Sequence, residues 1–168
     1  MHRQVEGLDL IPSDKNLVGA AVELVSMEGR EYRLKETIQG IREKYSYVLI
    51  DCPPSLGLLT VNGLTAAGEV LVPIQCEYYA LEGLGQLLRN VDLVKKNLNP
   101  SLEVSTIVCV MYDSRTKLAD QVVAEVREHF GDKVCKTIVP RNVRLSEAPS
   151  YGQPIIVFDS SSRGATAY

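Results

Sequence analysis

The feature that most constrains this chain is an alternation. Four apolar runs of strand length, residues 46–51, Val70–Ile74, Val104–Met111 and Val134–Val139, take turns with segments whose apolar residues recur at helical spacing. The helical sets are Leu17, Ala20, Ala21, Leu24 and Val25; Leu34, Ile38, Ile41 and Tyr45; a short stretch from Val61 to Ala67; Leu81, Leu84, Leu88, Val91 and Leu98; and Leu118, Val122, Val126 and Phe130, closed by Gly131-Asp132. An earlier short strand, Leu8–Ile11, is stopped by Pro12. Continuous Val, Ile and Leu mark strands buried on both faces. Strand and helix in turn build a parallel sheet, so the expected fold is α/β, a mostly parallel sheet flanked by helices on both faces. Pro73 has no N–H for a ladder, which places its strand at an edge or a bulge.

No composition shift, repeat or linker divides the 168 residues, so 1–168 is read as one domain. No apolar run approaches the ~20 residues that span a bilayer, and residues 1–6 carry no signal-peptide core. The formal net charge is −3, so nucleic acid would have to be met by a local patch. Cys52, Cys76, Cys109 and Cys135 form no Cys-x-x-Cys pair and have no neighbouring His, which reads as buried, reduced thiols in a reducing cytoplasm. Tyr78-Tyr79 is read as half-buried packing, and His129 as an ordinary surface residue. Ser55 lies in Pro-Pro-Ser-Leu-Gly rather than a nucleophile elbow.

Ligands of open parallel sheets bind beyond the carboxyl ends of the strands. Here those ends are Asp51-Cys52-Pro53-Pro54-Ser55, Gln75-Cys76-Glu77-Tyr78-Tyr79, Tyr112-Asp113-Ser114-Arg115 and Pro140-Arg141-Asn142-Val143-Arg144. An apolar strand ending in Asp is what a magnesium–nucleotide site uses, because Mg²⁺ takes oxygen ligands and keeps several waters. No G-x-x-x-x-G-K-[ST] loop, Gly-Lys pair or G-x-G-x-x-G fingerprint occurs in the chain. Pattern alone leaves Asp51 open between a magnesium-site acid and a strand-ending turn residue.

The segments YVLIDCPPSLGLLTVNGLTAA (47–67), VLVPIQCEYYALEGLGQLL (70–88), MYDSRTKLADQV (111–122) and IVPRNVRLSEAPSYGQPI (138–155), with LIPSDKNLVGAAVEL (10–24), carry a resemblance that covers nearly all of the chain. They resemble the ParA/Soj family of chromosome- and plasmid-partitioning ATPases, of the deviant Walker A, P-loop class. The resemblance implies a P-loop NTPase-like fold lacking its first β-α-β portion, a chain cut at both ends relative to the family. It implies that Asp51 is the Walker B acid, holding Mg²⁺ through water, and that Pro53, Pro54 and Ser55 form the switch that senses the γ-phosphate. Glu77, Pro140, Arg141 and Asn142 then lie at the nucleotide, with Tyr78 and Tyr79 near the dimer interface. Arg115 and Arg144, with Lys117 as neighbour, match basic positions that meet DNA without sequence preference. Between Asp113 and Arg144 the chain has seven Lys/Arg against five Asp/Glu.

The family's cofactors are ATP and Mg²⁺. Its partners are a ParB-type protein that stimulates hydrolysis, non-specific DNA and a second copy of itself in an ATP-bound homodimer. Its setting is the cytoplasm, on the nucleoid. Without a phosphate loop, this chain alone is expected neither to bind ATP tightly nor to hydrolyse it. Two other readings stand beside this one: a catalytically silent DNA- or protein-binding module, and a MinD-like cell-division positioning ATPase. No basic amphipathic helix supports the membrane role of the latter.

Overall fold

The computed structural model describes residues 2–5 by their backbone, and residues 7–53 and 55–168 in full. Two compact units emerge: residues 1–68 with 90–103, and residues 69–89 with 104–168.

The first unit opens with an antiparallel hairpin, β1 (His2–Val5) and β2 (Leu8–Leu10), with Arg3 opposite Asp9. Gly7 sits at φ 80, the left-handed region that a tight reversal needs and glycine enters freely. Helices α1 (Asn16–Glu23) and α2 (Arg33–Arg42) follow, then α3 (Leu58–Ala66). Of the nine residues of α3, Thr60, Asn62, Gly63, Leu64, Thr65 and Ala66 are buried. Most buried polar side chains are hydrogen-bonded; the Thr65 hydroxyl is buried without a partner, but Asn62 is fully engaged. Its Oδ1 accepts from the Leu34 N–H at 3.0 Å, and its Nδ2 donates to the carbonyls of Arg30 at 2.8 Å and Leu58 at 3.0 Å. Asn99 closes the other end: its Nδ2 donates to the carbonyls of Leu64, Thr65 and Ala67 at 3.0, 3.3 and 2.7 Å. A helix end leaves carbonyls unpaired, and this amide takes three of them.

The run 46–51, expected as a strand, is not one. No described strand pairs with it, and Tyr47 and Leu49 are 86% and 89% exposed. Apolar character alone does not make a strand where no neighbour supplies the ladder.

The second unit holds the parallel sheet. β3 (Glu69–Gln75) crosses through α4 (Ala80–Asn97) to β4 (Glu103–Val110). The Glu103 N–H donates to the Gly68 carbonyl and the Cys76 N–H to the Val110 carbonyl, so the two strands run the same way. α5 (Lys117–Phe130) then leads to residues 134–140, which pair with β4 in parallel at Ile107–Val134 and Tyr112–Pro140. The Cys135 N–H donates to Ile107 and the Val139 N–H to Cys109, both at 2.9 Å. The run Val134–Val139, expected as a strand, is not a regular one: it meets β4 only at those two isolated bridges. The Lys136 carbonyl accepts from the Arg127 side chain at 2.9 Å, and Pro140 has no N–H to give.

Because the strands lie side by side in chain order, right-handed crossovers put both connecting helices on one face. The core agrees: Val72, Ile74 and Cys76 of β3 and its end, Ile107 and Cys109 of β4, Leu84 of α4 and Val122, Val123 and Val126 of α5 form one buried cluster. Leu71, pointing the opposite way along β3, is 57% exposed. α5 begins at Thr116, whose hydroxyl accepts from the Ala119 N–H. It ends at Gly131, whose φ of 52 with ψ −124 is a glycine conformation. Beyond the sheet lie α6 (Val143–Glu147), α7 (Ile155–Phe158) and α8 (Arg163–Ala167), none of which the apolar spacing announced. Among the described residues no helix is long and apolar enough to cross a membrane.

Candidate functional site

In the first unit the candidate acid, Asp51, is exposed, and its chain neighbours are anchored on α3. A Cβ placed on Gly63 would lie 2.6 Å from the Cys52 Sγ and 3.5 Å from the Ile50 Cγ2. Gly63 is therefore the notch that lets residues 50–52 lie against the helix, and it sets where Asp51 emerges. Desolvation against the helix pushes the Cys52 thiol above its usual range, and the neighbouring Asp51 charge adds to it. The loop that follows is tied to the same helix: the Thr60 hydroxyl donates to the Ser55 carbonyl at 2.6 Å, and the Pro53 carbonyl lies 3.5 Å away. Ser55 and Pro53 are exposed, and Pro54 lies outside the described residues.

Among the described residues no three His, Cys, Asp or Glu gather as a metal cage. One exposed carboxylate suits an ion that keeps most of its waters and takes its other oxygens from phosphates.

In the second unit the carboxyl ends of β3 and β4, with the segment 134–140 bridged to β4, bring four groups to one edge. Glu77 follows β3, Asp113 and Arg115 follow β4, and Arg141 follows the bridged segment. The Arg141 guanidinium donates to the Glu77 carboxylate at 2.9 Å, a bond between residues 64 positions apart. Pro140 forms the bridge to Tyr112, and the Arg141 N–H donates to the Tyr112 carbonyl at 2.8 Å. Just before Tyr112, Met111 holds φ 54, a left-handed conformation costing on the order of 1 kcal/mol in a residue with a Cβ. Asn142 is spent on structure: its Oδ1 accepts from the Arg144 and Leu145 N–H groups, capping α6. Its amide nitrogen is what remains for a ligand.

The basic residues are not bare. Arg115 grips Asp113 through Nε at 2.8 Å and a terminal nitrogen at 2.6 Å. Those bonds hold the Asp113 carboxyl well below the usual carboxylate range and raise Arg115 in turn. Arg144 donates through Nε to Asp159 and through a terminal nitrogen to Glu147, both at 2.8 Å. Asp159 is lowered chiefly by Arg144, with help from the Ser161 hydroxyl. Lys117 is exposed in the first turn of α5. Tyr112 donates to Asp120 at 2.5 Å, which keeps its phenol protonated to higher pH.

Two readings of single residues change. Tyr78 and Tyr79 are 76% and 73% exposed, edge to face with ring centroids 5.1 Å apart, rather than packed away. Of the cysteines, Cys76 and Cys109 are buried, Cys135 is half-buried and Cys52 is exposed, all as free thiols. Burial, then the neighbouring Cys109, pushes the Cys76 thiol up to about 12. His129 is exposed, with Nδ1 against the Glu125 carbonyl, an ordinary surface histidine. Sequence spacing overlooked Asp159 and Glu147 as partners of Arg144. The second was legible as an i,i+3 pair on a helix; the first, fifteen residues away, was not.

Comparison with known proteins gives the family. The family model described as AAA domain matches residues 1–104. The sporulation initiation inhibitor protein Soj of Bacillus subtilis is 56% identical over 98% of this chain and 65% of its own length. The chromosome partitioning protein ParA of Myxococcus xanthus is 54% identical over 96% of this chain and 57% of its own. Among solved structures, a cobyrinic acid a,c-diamide synthase from Mycobacterium smegmatis with bound ADP and magnesium is 38% identical. It superposes with a TM-score of 0.75, over 94% of this chain and 57% of that one. The chain thus spans less than two thirds of the length of these proteins. With more than half of its residues inside the AAA-domain model and this identity to Soj and ParA, the chain belongs to the ParA/Soj family of P-loop ATPases.

Proposed function

We propose that this chain is part of a partitioning ATPase that moves replicated DNA, and that its two units belong to one partial nucleotide-binding domain. The observation that carries the reading is the polar edge of the second unit. The ends of β3 and β4 and of the segment bridged to β4 deliver Glu77, Asp113, Arg115 and Arg141 together, with the Glu77–Arg141 pair closed at 2.9 Å. Strand ends of an open parallel sheet are where such folds hold ligands. Relatives named as chromosome partitioning proteins and a 38% identical structure holding ADP and magnesium support the same assignment.

In this reading Asp51 holds Mg²⁺ through water. Pro53, Pro54 and Ser55 report on the γ-phosphate, in a loop that Thr60 ties to α3. Glu77, Pro140, Arg141 and Asn142 border the nucleotide. Bound ATP and magnesium supply the scissile phosphate and the charge that neutralises it; the residues of this chain orient and sense them. Arg115, Lys117 and Arg144 meet DNA phosphates in an ATP-bound homodimer, and a ParB-type partner stimulates turnover on the nucleoid in the cytoplasm.

The test is DNA binding measured against salt. Each phosphate neutralised on duplex DNA contributes about 0.9 to the log–log salt slope. R115A/R144A is expected to lower that slope by about 2 and to abolish retention on DNA of mixed sequence. An unchanged slope refutes the assignment.

A further inference from the structure

Both arginines assigned to DNA carry counter-ions of their own. Arg144 lies between two carboxylates, Asp159 and Glu147, each at 2.8 Å, with its guanidinium 4.6 Å from the centre of the Phe158 ring. One cation faces two anions there, so an approaching phosphate meets net negative charge. Arg115 is matched one to one by Asp113, which also accepts from the Arg115 backbone N–H at 3.1 Å. Carboxylate and phosphate each present a pair of acceptor oxygens that a guanidinium can bind in a bidentate way. They therefore compete for one fork.

The pairs are not buried props. The Arg115 side chain is 84% exposed and Arg144 and Glu147 are 47% and 42% exposed, against carboxylates of Asp113 and Asp159 that are 22% exposed each. Pairs open to solvent on the arginine side add only modestly to stability, and the two arginines carry three carboxylates where two would pair them. A guanidinium has five N–H donors. In each pairing the side chain spends two, which leaves an edge where a phosphate can land before the carboxylate lets go.

We propose that Asp113, Glu147 and Asp159 form an electrostatic brake on DNA binding, occupying Arg115 and Arg144 until phosphates displace them. The proposal rests on the reading that these arginines meet DNA. The brake sets the affinity low enough for release and makes binding depend on many phosphates arriving together.

The experiment is fluorescence anisotropy of a short labelled duplex of mixed sequence, titrated in the presence of Mg-ATP, from about 50 to 200 mM salt, with the chain joined to the phosphate-loop portion of a relative so that the proposed ATP-bound dimer can form. D113N/E147Q/D159N is compared with a charge-matched control, E82Q/D92N/E128Q, which removes three exposed carboxylates from α4 and α5. The brake-free variant is expected to bind about tenfold tighter at the lower salt with the native slope, because the same two arginines meet phosphates in both. The control is expected to gain far less, and adding R115A/R144A to the brake-free variant is expected to erase the gain. The single variants E147Q and D113N, each about threefold tighter, keep the test open if the triple variant folds poorly. The proposal is overturned by a gain no larger than the control's, by a gain that survives loss of the arginines, by weaker binding, or by no binding in any variant. If R115A/R144A on the native background leaves DNA binding unchanged, the DNA reading itself fails, whatever the carboxylate variants do.

Discussion

Substituting Gly63 by Ala tests how Asp51 is positioned. The new Cβ would lie 2.6 Å from the Cys52 Sγ, against an ordinary contact near 3.5–4.0 Å, so sulfur or helix must move by about 1 Å. Two effects oppose each other. Ala in place of Gly inside a helix gains about 1 kcal/mol. Forcing a methyl into a filled site costs about 1–3 kcal/mol. The net expectation for G63A is a loss of up to about 2 kcal/mol. Removing the sulfur clears the space, so in C52A/G63A the helix gain reappears. The cycle of single and double variants should then show a coupling of about 1–3 kcal/mol. Urea denaturation reads this directly, as a shift in midpoint at constant m-value. Stabilisation by G63A alone, or additive effects of the two substitutions, would refute the packing of residues 50–52 on α3. Because Cys52 is bonded to Asp51, the same shift moves the carboxylate.

Other consequences are equally concrete. N99A strips the donor from three carbonyls at the end of α3 and should cost about 2–3 kcal/mol by urea denaturation, with no shift refuting the cap. Asp113 and Asp159 have carboxyls held below the ordinary range, so their stabilisation is present above the unfolded aspartate value near 4 and is lost as pH falls through their folded values. The urea midpoint should therefore fall on acidification below about pH 4, and less so in D113N and D159N. Cys76, 5% exposed with its thiol raised to about 12, should resist iodoacetamide at mildly alkaline pH in the native chain and react after unfolding; native labelling would contradict its burial.

Much of this was legible in the residues. β3, α4, β4 and α5 appear where apolar spacing places them, because each buries a continuous face in one core. Leu8–Leu10 forms the short strand before Pro12, though its partner strand at His2–Val5 carried no apolar signal. The run 46–51 failed for a non-local reason: a strand is made by its neighbour, and no window of sequence contains the neighbour. The run Val134–Val139 meets β4 only at isolated bridges, and between them the Lys136 carbonyl accepts from Arg127 on the preceding helix instead of from a ladder. At the candidate site, the strand-end rule found Glu77, Asp113, Arg115 and Arg141. Their pairing across 64 residues, and the reach of Asp159 to Arg144, depend on loop closure that spacing does not encode. Tyr78-Tyr79 went the same way: two aromatics suggest packing, but the turn after β3 points both outward.

The central claim is that Asp51 serves a magnesium–nucleotide whose main phosphate cradle the chain itself does not supply. Calorimetric titration with Mg-ATP tests it most directly, on the chain alone and on the chain joined to the phosphate-loop portion of Bacillus subtilis Soj. The account predicts no measurable binding by the chain alone, magnesium-dependent binding by the joined protein, and loss of that dependence in its D51A variant. Micromolar binding by the chain alone, or a joined protein indifferent to D51A, would contradict it.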